Sequence, residues 1–155
     1  MALRKQQPVT GKDGAVSRHV VQVKPRWSDM DAYGHVNNVT WMEYLQEARV
    51  DMFHAHDSEP GAGLLSEGVV VARVLIDYKR ALVFRSEPVR IEMWVSRAGT
   101  ASFTLDYEAV DRSEDGSVTT YVVAQTVLVP VTLDDGRPRR LRPSERAMLT
   151  ALADD

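Results

Sequence analysis

Two carboxylates, a histidine, a glycine and two asparagines fall in one stretch, Trp27-Ser28-Asp29-Met30-Asp31-Ala32-Tyr33-Gly34-His35-Val36-Asn37-Asn38-Val39. A plain connector needs a glycine and one capping asparagine, so this stretch carries more polar chemistry than folding requires. It leads into a helical pattern, where the helix dipole and unpaired amides hold a carboxylate such as Asp29 or Asp31 in its charged form. The same amides can polarise a carbonyl and hold the oxyanion that forms when it is attacked. One loop can therefore supply a nucleophile or base together with an oxyanion site, the pair that acyl transfer needs. Aspartate is also common in turns and caps, and that plainer use of both residues stays open.

His35 either hydrogen-bonds the loop in place or acts as a general base, which would require a positioned nucleophile. The serines nearby in sequence, Ser17 and Ser28, lie in no Gly-x-Ser-x-Gly elbow, which argues against a serine triad. Gly34 suits a positive φ or the close approach of a ligand to the backbone. His54, His56 and Asp57 resemble a metal cluster, but residues two apart on a helix point to different faces, and no metal site is expected. Arg73, Lys79, Arg80, Arg85, Arg97 and the run from Arg137 to Arg142 fall near strand ends and turns. They read as solvated surface or as a dock for an anionic cofactor tail such as the phosphates of coenzyme A.

The elements that must position these residues follow from periodicity. Val21, Val23 and Trp27 alternate with polar residues and predict a strand over 18–27, with Pro25 near its edge or end. Trp41, Tyr44, Leu45, Ala48, Met52 and Phe53 share one face of a helix over 39–56, capped by Asn37 or Asn38. Val69 to Arg80 begins as a continuous apolar run, which predicts a strand buried on both sides. Alternating strands follow at Val89–Val95, Phe103–Ala109 and Thr119–Val131, with a turn at Asp115-Gly116. Pro143-Ser144-Glu145 opens a terminal helix through Leu152. The order predicts one α+β domain over residues 18–155, an antiparallel sheet of about five strands with one long helix. Residues 1–17 read as a mobile segment.

Composition narrows the classes. At 155 residues the chain suffices for one domain with a real core, and its net charge of −3 argues against nucleic-acid binding. The absence of cysteine excludes disulfides and thiolate zinc sites. No run approaches the roughly twenty apolar residues of a membrane span, and no signal-peptide core is visible, so the cytoplasm is the expected compartment.

The loop Asp29-Met30-Asp31-Ala32-Tyr33-Gly34-His35-Val36-Asn37-Asn38, followed by Trp41-Met42-Glu43-Tyr44-Leu45 and Glu47-Ala48-Arg49, resembles the hotdog-fold acyl-CoA thioesterases of the 4-hydroxybenzoyl-CoA thioesterase-like group. Val71-Ala72-Arg73 through Ile76-Asp77-Tyr78 and Ser102-Phe103-Thr104-Leu105 with Tyr107-Glu108 fit as well, so the resemblance runs from Val20 to Val131. It implies a long helix wrapped by the sheet, and homodimers joined edge to edge, often paired into tetramers, with sites at the subunit interface. It assigns catalysis to Asp31, attacking the thioester carbonyl or activating a water, and oxyanion stabilisation or orientation to His35, Asn38 and Val39. Tyr78, Arg80 and Arg97 are the corresponding substrate-binding residues, and no cofactor is implied beyond the coenzyme A of the substrate. Some members carry a tyrosine or an aromatic-proline pair in place of His35-Val36-Asn37-Asn38, so an aryl preference does not transfer; an aliphatic acyl group on coenzyme A or acyl carrier protein is expected. Two rivals remain: a hotdog enoyl-CoA hydratase or dehydratase using Asp31 with His35, and an acyl-CoA-binding domain without turnover.

Overall fold

A computed structural model describes residues 18–56 and 63–153. Strict alternation builds its centre. Val89, Ile91, Met93 and Val95 of β3 (Val89–Ala98) and Phe103, Leu105, Tyr107 and Ala109 of β4 (Phe103–Arg112) are all buried. They meet as cross-strand pairs, Ile91 with Ala109, Met93 with Tyr107 and Val95 with Leu105, so one face of both strands is continuous core. β1 (His19–Val23) pairs with β3, and β5 (Val118–Pro130) pairs with β4. β2 (Val69–Tyr78) closes the order β1-β3-β4-β5-β2, antiparallel throughout. This is the five-stranded α+β hotdog arrangement that the sequence and its resemblance imply.

α1 (Asn38–His56) supplies the other half of the core. Trp41, Tyr44, Leu45, Ala48, Met52 and Phe53 are its buried residues, at the spacing read from the sequence, and Phe53 meets Phe103 with ring centroids 6.1 Å apart. Each large apolar side chain removed from water in this way contributes roughly 2 kcal/mol. A short helix α2 (Leu64–Glu67) leads into β2, and α3 (Pro143–Ala151) follows β5. Asp57 and Gly61 lie outside the described residues.

The structure departs from the sequence reading in two strands. The first stops at Val23, and Trp27 enters a single 3-10 turn at 76% exposure, its ring edge-on to Phe84 at 5.3 Å. Pro25 has no amide to continue the ladder, which ends the strand early. β2 is the larger correction. Its apolar run predicts burial on both sides, yet it is an edge strand whose Val70, Val71, Val74, Leu75 and Tyr78 are all exposed. A bulge between Val71 and Arg73 interrupts its pairing with β5.

The opposite side of the sheet is finished differently. The β1–β3 pairing ends at His19 with Met93. Just beyond it, the Val95 amide donates to the Leu152 carbonyl at 2.9 Å, and Val95 and Ala153 form a parallel bridge. The segment after α3 thus occupies the edge of β3 that the short β1 leaves uncovered. On the outer face, Glu92 is buried at 2% exposure and accepts from Arg18, Arg90 and Arg112. These charge-assisted bonds and the fixed positive charge hold its carboxyl down at about 2, against the opposing effect of burial.

Candidate active site

The loop before α1 is built by its two aspartates in different ways. Asp29 is 3% exposed and accepts from the Arg26 amide at 2.9 Å, the Arg26 guanidinium at 3.1 Å and the Tyr44 hydroxyl. Burial by itself would raise its pKa, but these donors outweigh that and leave it below the usual carboxylate value. The same contact and the burial of Tyr44 push the phenol well above its ordinary value. Asp29 therefore ties the loop to the second turn of α1 and has no oxygen to spare for a substrate.

Asp31 is held open. Met30 pairs with Val36, the Asp31 amide donates to the His35 carbonyl at 2.8 Å, and the Gly34 amide donates to the Asp31 carbonyl at 3.1 Å. Gly34 has φ +73°, a conformation that glycine adopts without penalty, and it closes this small hairpin. Asp31 Oδ1 accepts from the amides of Tyr33 at 2.8 Å and His35 at 3.2 Å. Among the described residues nothing donates to Oδ2, and the side chain is only half-buried. The carboxylate is fixed through one oxygen and offers the other.

The helix start completes the geometry. Asn37 caps α1, its Oδ1 accepting from the Val39 amide at 2.8 Å, which corrects the expectation that this amide is an open oxyanion donor. Among the described residues no group accepts from the Asn38 amide, so the open donor is one residue earlier. Tyr78 Oη donates to the Asn38 carbonyl at 2.8 Å, joining the end of β2 to the start of α1. The segment after β2 lies against the loop: the Val36 amide donates to the Leu82 carbonyl at 2.9 Å, and His35 pairs with Val83. Arg80 belongs to that segment and its side chain is exposed.

Asp31, His35, Asn38, Val39, Tyr78 and Arg80 are therefore gathered around one hairpin and one helix start. His35 reaches Asp31 through its backbone amide; no hydrogen bond joins its imidazole to the carboxylate. Arg97 lies elsewhere within this chain. It pairs with Thr104, which pairs with Val127, whereas Tyr78 lies opposite Val122. That offset is roughly 17 Å along the strands, and three strand spacings add about 14 Å across the sheet. Nor do His54 and His56 converge: His54 is exposed and His56 turns to His19, with Nε2 3.2 Å from His19 Nδ1.

A cavity of about 310 Å³ runs along α1 from Val39, near the helix start, to Arg49. Val39, Met42 and Leu45 line it from the helix together with the polar Glu43, Gln46 and Arg49, Val71 and Val74 line it from β2, and Thr126 from β5. Tyr44, Arg49 and Thr126 escaped the sequence reading as parts of the site. The first two sit in a helical pattern that reads equally well as core and surface, and a threonine inside an alternating strand carries no signal of its own.

The comparisons with known proteins agree with this fold. Residues 25–149 match the Thioesterase-like superfamily, and the chain belongs to that family. It is 37% identical over 62 residues to the long-chain acyl-CoA thioesterase FadM of Escherichia coli, covering 40% of this chain and 47% of FadM. The chain spans about half the length of the curated relatives it matches. A thioesterase of Thermus thermophilus solved with coenzyme A and zinc superposes with a TM-score of 0.70 at 28% identity, covering 90% of this chain and 96% of that one. The PA2801 protein of Pseudomonas aeruginosa superposes with a TM-score of 0.69 at 34% identity, covering 83% and 95%. No helix among the described residues is long and apolar enough to cross a membrane.

Proposed function

We propose that this chain hydrolyses acyl-CoA thioesters through Asp31 as nucleophile. The observation that carries the reading is the half-held carboxylate: Oδ1 is fixed by two amides, and Oδ2 is open at the start of a helix with an unused first amide. Oδ2 attacks the thioester carbonyl carbon, the C–S bond breaks, and coenzyme A leaves as a thiolate that takes a proton from solvent. Water then cleaves the mixed anhydride, releasing the acid and restoring Asp31. The Asn38 amide and the dipole of α1 stabilise the charge that develops on the carbonyl oxygen in each step. His35, Tyr78 and the rest of the loop hold these groups in place. A thioester is electrophilic enough to need no metal, and the reading requires no cofactor.

The cavity walls of Val39, Leu45, Val71 and Val74 favour an aliphatic acyl chain, consistent with FadM being a long-chain acyl-CoA thioesterase. The exposed apolar edge of β2 fits a homodimer joined along that edge, the second copy roofing the cavity. In such a dimer Arg97 serves the phosphates of coenzyme A only if the partner's site comes to it. The compartment in this reading is the cytoplasm. The hydratase reading loses ground, because no hydrogen bond joins the His35 imidazole to Asp31.

Thiol release from a panel of acyl-CoA lengths, with wild type and Asp31→Asn, tests the reading. Asparagine keeps the Oδ1 acceptor, so the variant folds, and turnover falls by at least about a thousandfold. Wild-type rates in Asp31→Asn would sink it. Acyl-CoA bound without thiol released by the wild type would leave a binding domain, and crotonyl-CoA hydration would leave a hydratase.

A further inference from the structure

Thr126 is wholly buried, and its hydroxyl is the one buried side-chain oxygen or nitrogen among the described residues with no hydrogen-bond partner. It stands in the middle of β5, between Val74 and Leu105, and faces the cavity beside α1. A valine would fill the same space without a polar atom to desolvate, whereas an unsatisfied buried hydroxyl is a net cost to the fold. Its position is not arbitrary. β2 and α1 run in opposite directions here, since Tyr78 lies by Asn38 while Val74 and Val71 lie further along the helix. Thr126, opposite Val74, is therefore about 13 Å along the strand from the row that holds Tyr78. Arg49 borders the same end, about 15 Å down the helix axis from Val39. Its guanidinium is half-buried and makes a single long bond, 3.3 Å to the Tyr107 hydroxyl, and among the described residues no carboxylate pairs with it.

We infer that the distal end of this cavity recognises an oxygen on the acyl chain, with Thr126 and Arg49 as its hydrogen-bond donors. The inference rests on the thioesterase reading, which places the reacting carbonyl at the other end, beside Asp31 and Asn38. The substrate class is then a medium-length aliphatic acyl-CoA with a hydroxyl, oxo or carboxylate group remote from the thioester. A saturated chain offers neither donor an acceptor and binds less well.

The experiment compares decanoyl-CoA, 10-hydroxydecanoyl-CoA and the mono-CoA thioester of decanedioic acid. Wild type shows a KM at least about tenfold lower for an oxygenated chain, with kcat little changed. Thr126→Val abolishes that preference and melts no lower than wild type; Thr126→Ser retains the preference. Which oxygenated chain gains more separates a neutral acceptor from an anion on Arg49. Equal KM values across the three substrates in wild type, or a preference that survives Thr126→Val, would overturn the inference. If no substrate releases thiol, the thioesterase reading fails, and calorimetric binding of the corresponding non-hydrolysable thioethers still reads the discrimination by Thr126.

Discussion

The Tyr44 hydroxyl donates to Asp29 Oδ2, so a buried phenol on the second turn of α1 fixes a buried carboxylate at the foot of the loop that carries Asp31. Neither residue reaches the open oxygen of Asp31, yet both set where the loop begins. Tyr44→Phe leaves Asp29 its two Arg26 donors and removes one bond to a charged acceptor, a loss of about 1.5–3 kcal/mol. Thermal melts should show that loss, with turnover at 25 °C reduced far less than in Asp31→Asn.

Glu92 sets an acid limit on stability. Its folded carboxyl titrates at about 2, below the ordinary 4.5, so the unfolded chain binds the proton more readily. The stabilisation is fully present above the ordinary value and is lost as pH falls from there towards 2. Glu92→Gln should therefore melt several degrees below wild type at pH 7. The gap should narrow below pH 4.5 as wild type protonates. A gap independent of pH would mean that packing rather than charge holds this face.

Gly34 offers a clean test of backbone strain. A Cβ added there meets nothing within 4 Å, so Gly34→Ala costs conformational energy alone, about 1–2 kcal/mol at φ +73°. Asp31 has its amide, its carbonyl and its Oδ1 tied into this turn. The variant should melt a few degrees below wild type and lose kcat by more than that loss of stability accounts for.

The edge of β2 predicts assembly. Val70→Lys with Leu75→Lys places charge on two side chains that are 48% and 49% exposed in the single chain. Analytical ultracentrifugation should show wild type as a dimer or larger and the double variant as monomer. A monomeric wild type would leave the apolar edge without this explanation.

What the sequence makes legible follows from which forces are local. The 3.6-residue spacing from Trp41 to Phe53 and the alternation through β3 and β4 reflect burial within one chain, and both appear as read. Asp31 is visible because polar residues crowd a loop that needs few of them. β2 misleads for a physical reason: an apolar run records that water is excluded, and says nothing of whether the chain itself or another surface excludes it. The separation of Arg97 from Asp31 within one chain is not legible, because a turn between strands shows nothing of which end of the sheet it occupies; that depends on strand order, a non-local property. Val39 is displaced from its expected role because Asn37, rather than Asn38, turns its side chain onto the helix.

The two borders of the sheet are unequal, and the inequality limits growth. β1 is five residues long, its His19 is gripped by Asp51 of α1 at 2.8 Å, and the Leu152–Ala153 tail takes the next position on β3. The β2 border runs ten residues and is apolar. Strand addition at that border joins like to like, which creates a two-fold axis and uses up the long border on both copies at once. What remains exposed is a pair of short, occupied borders that template poorly. A chain carrying this much unpaired β-edge is otherwise a candidate for fibre growth; in the proposed dimer the same edge would serve as a stop, and strand addition would end at two.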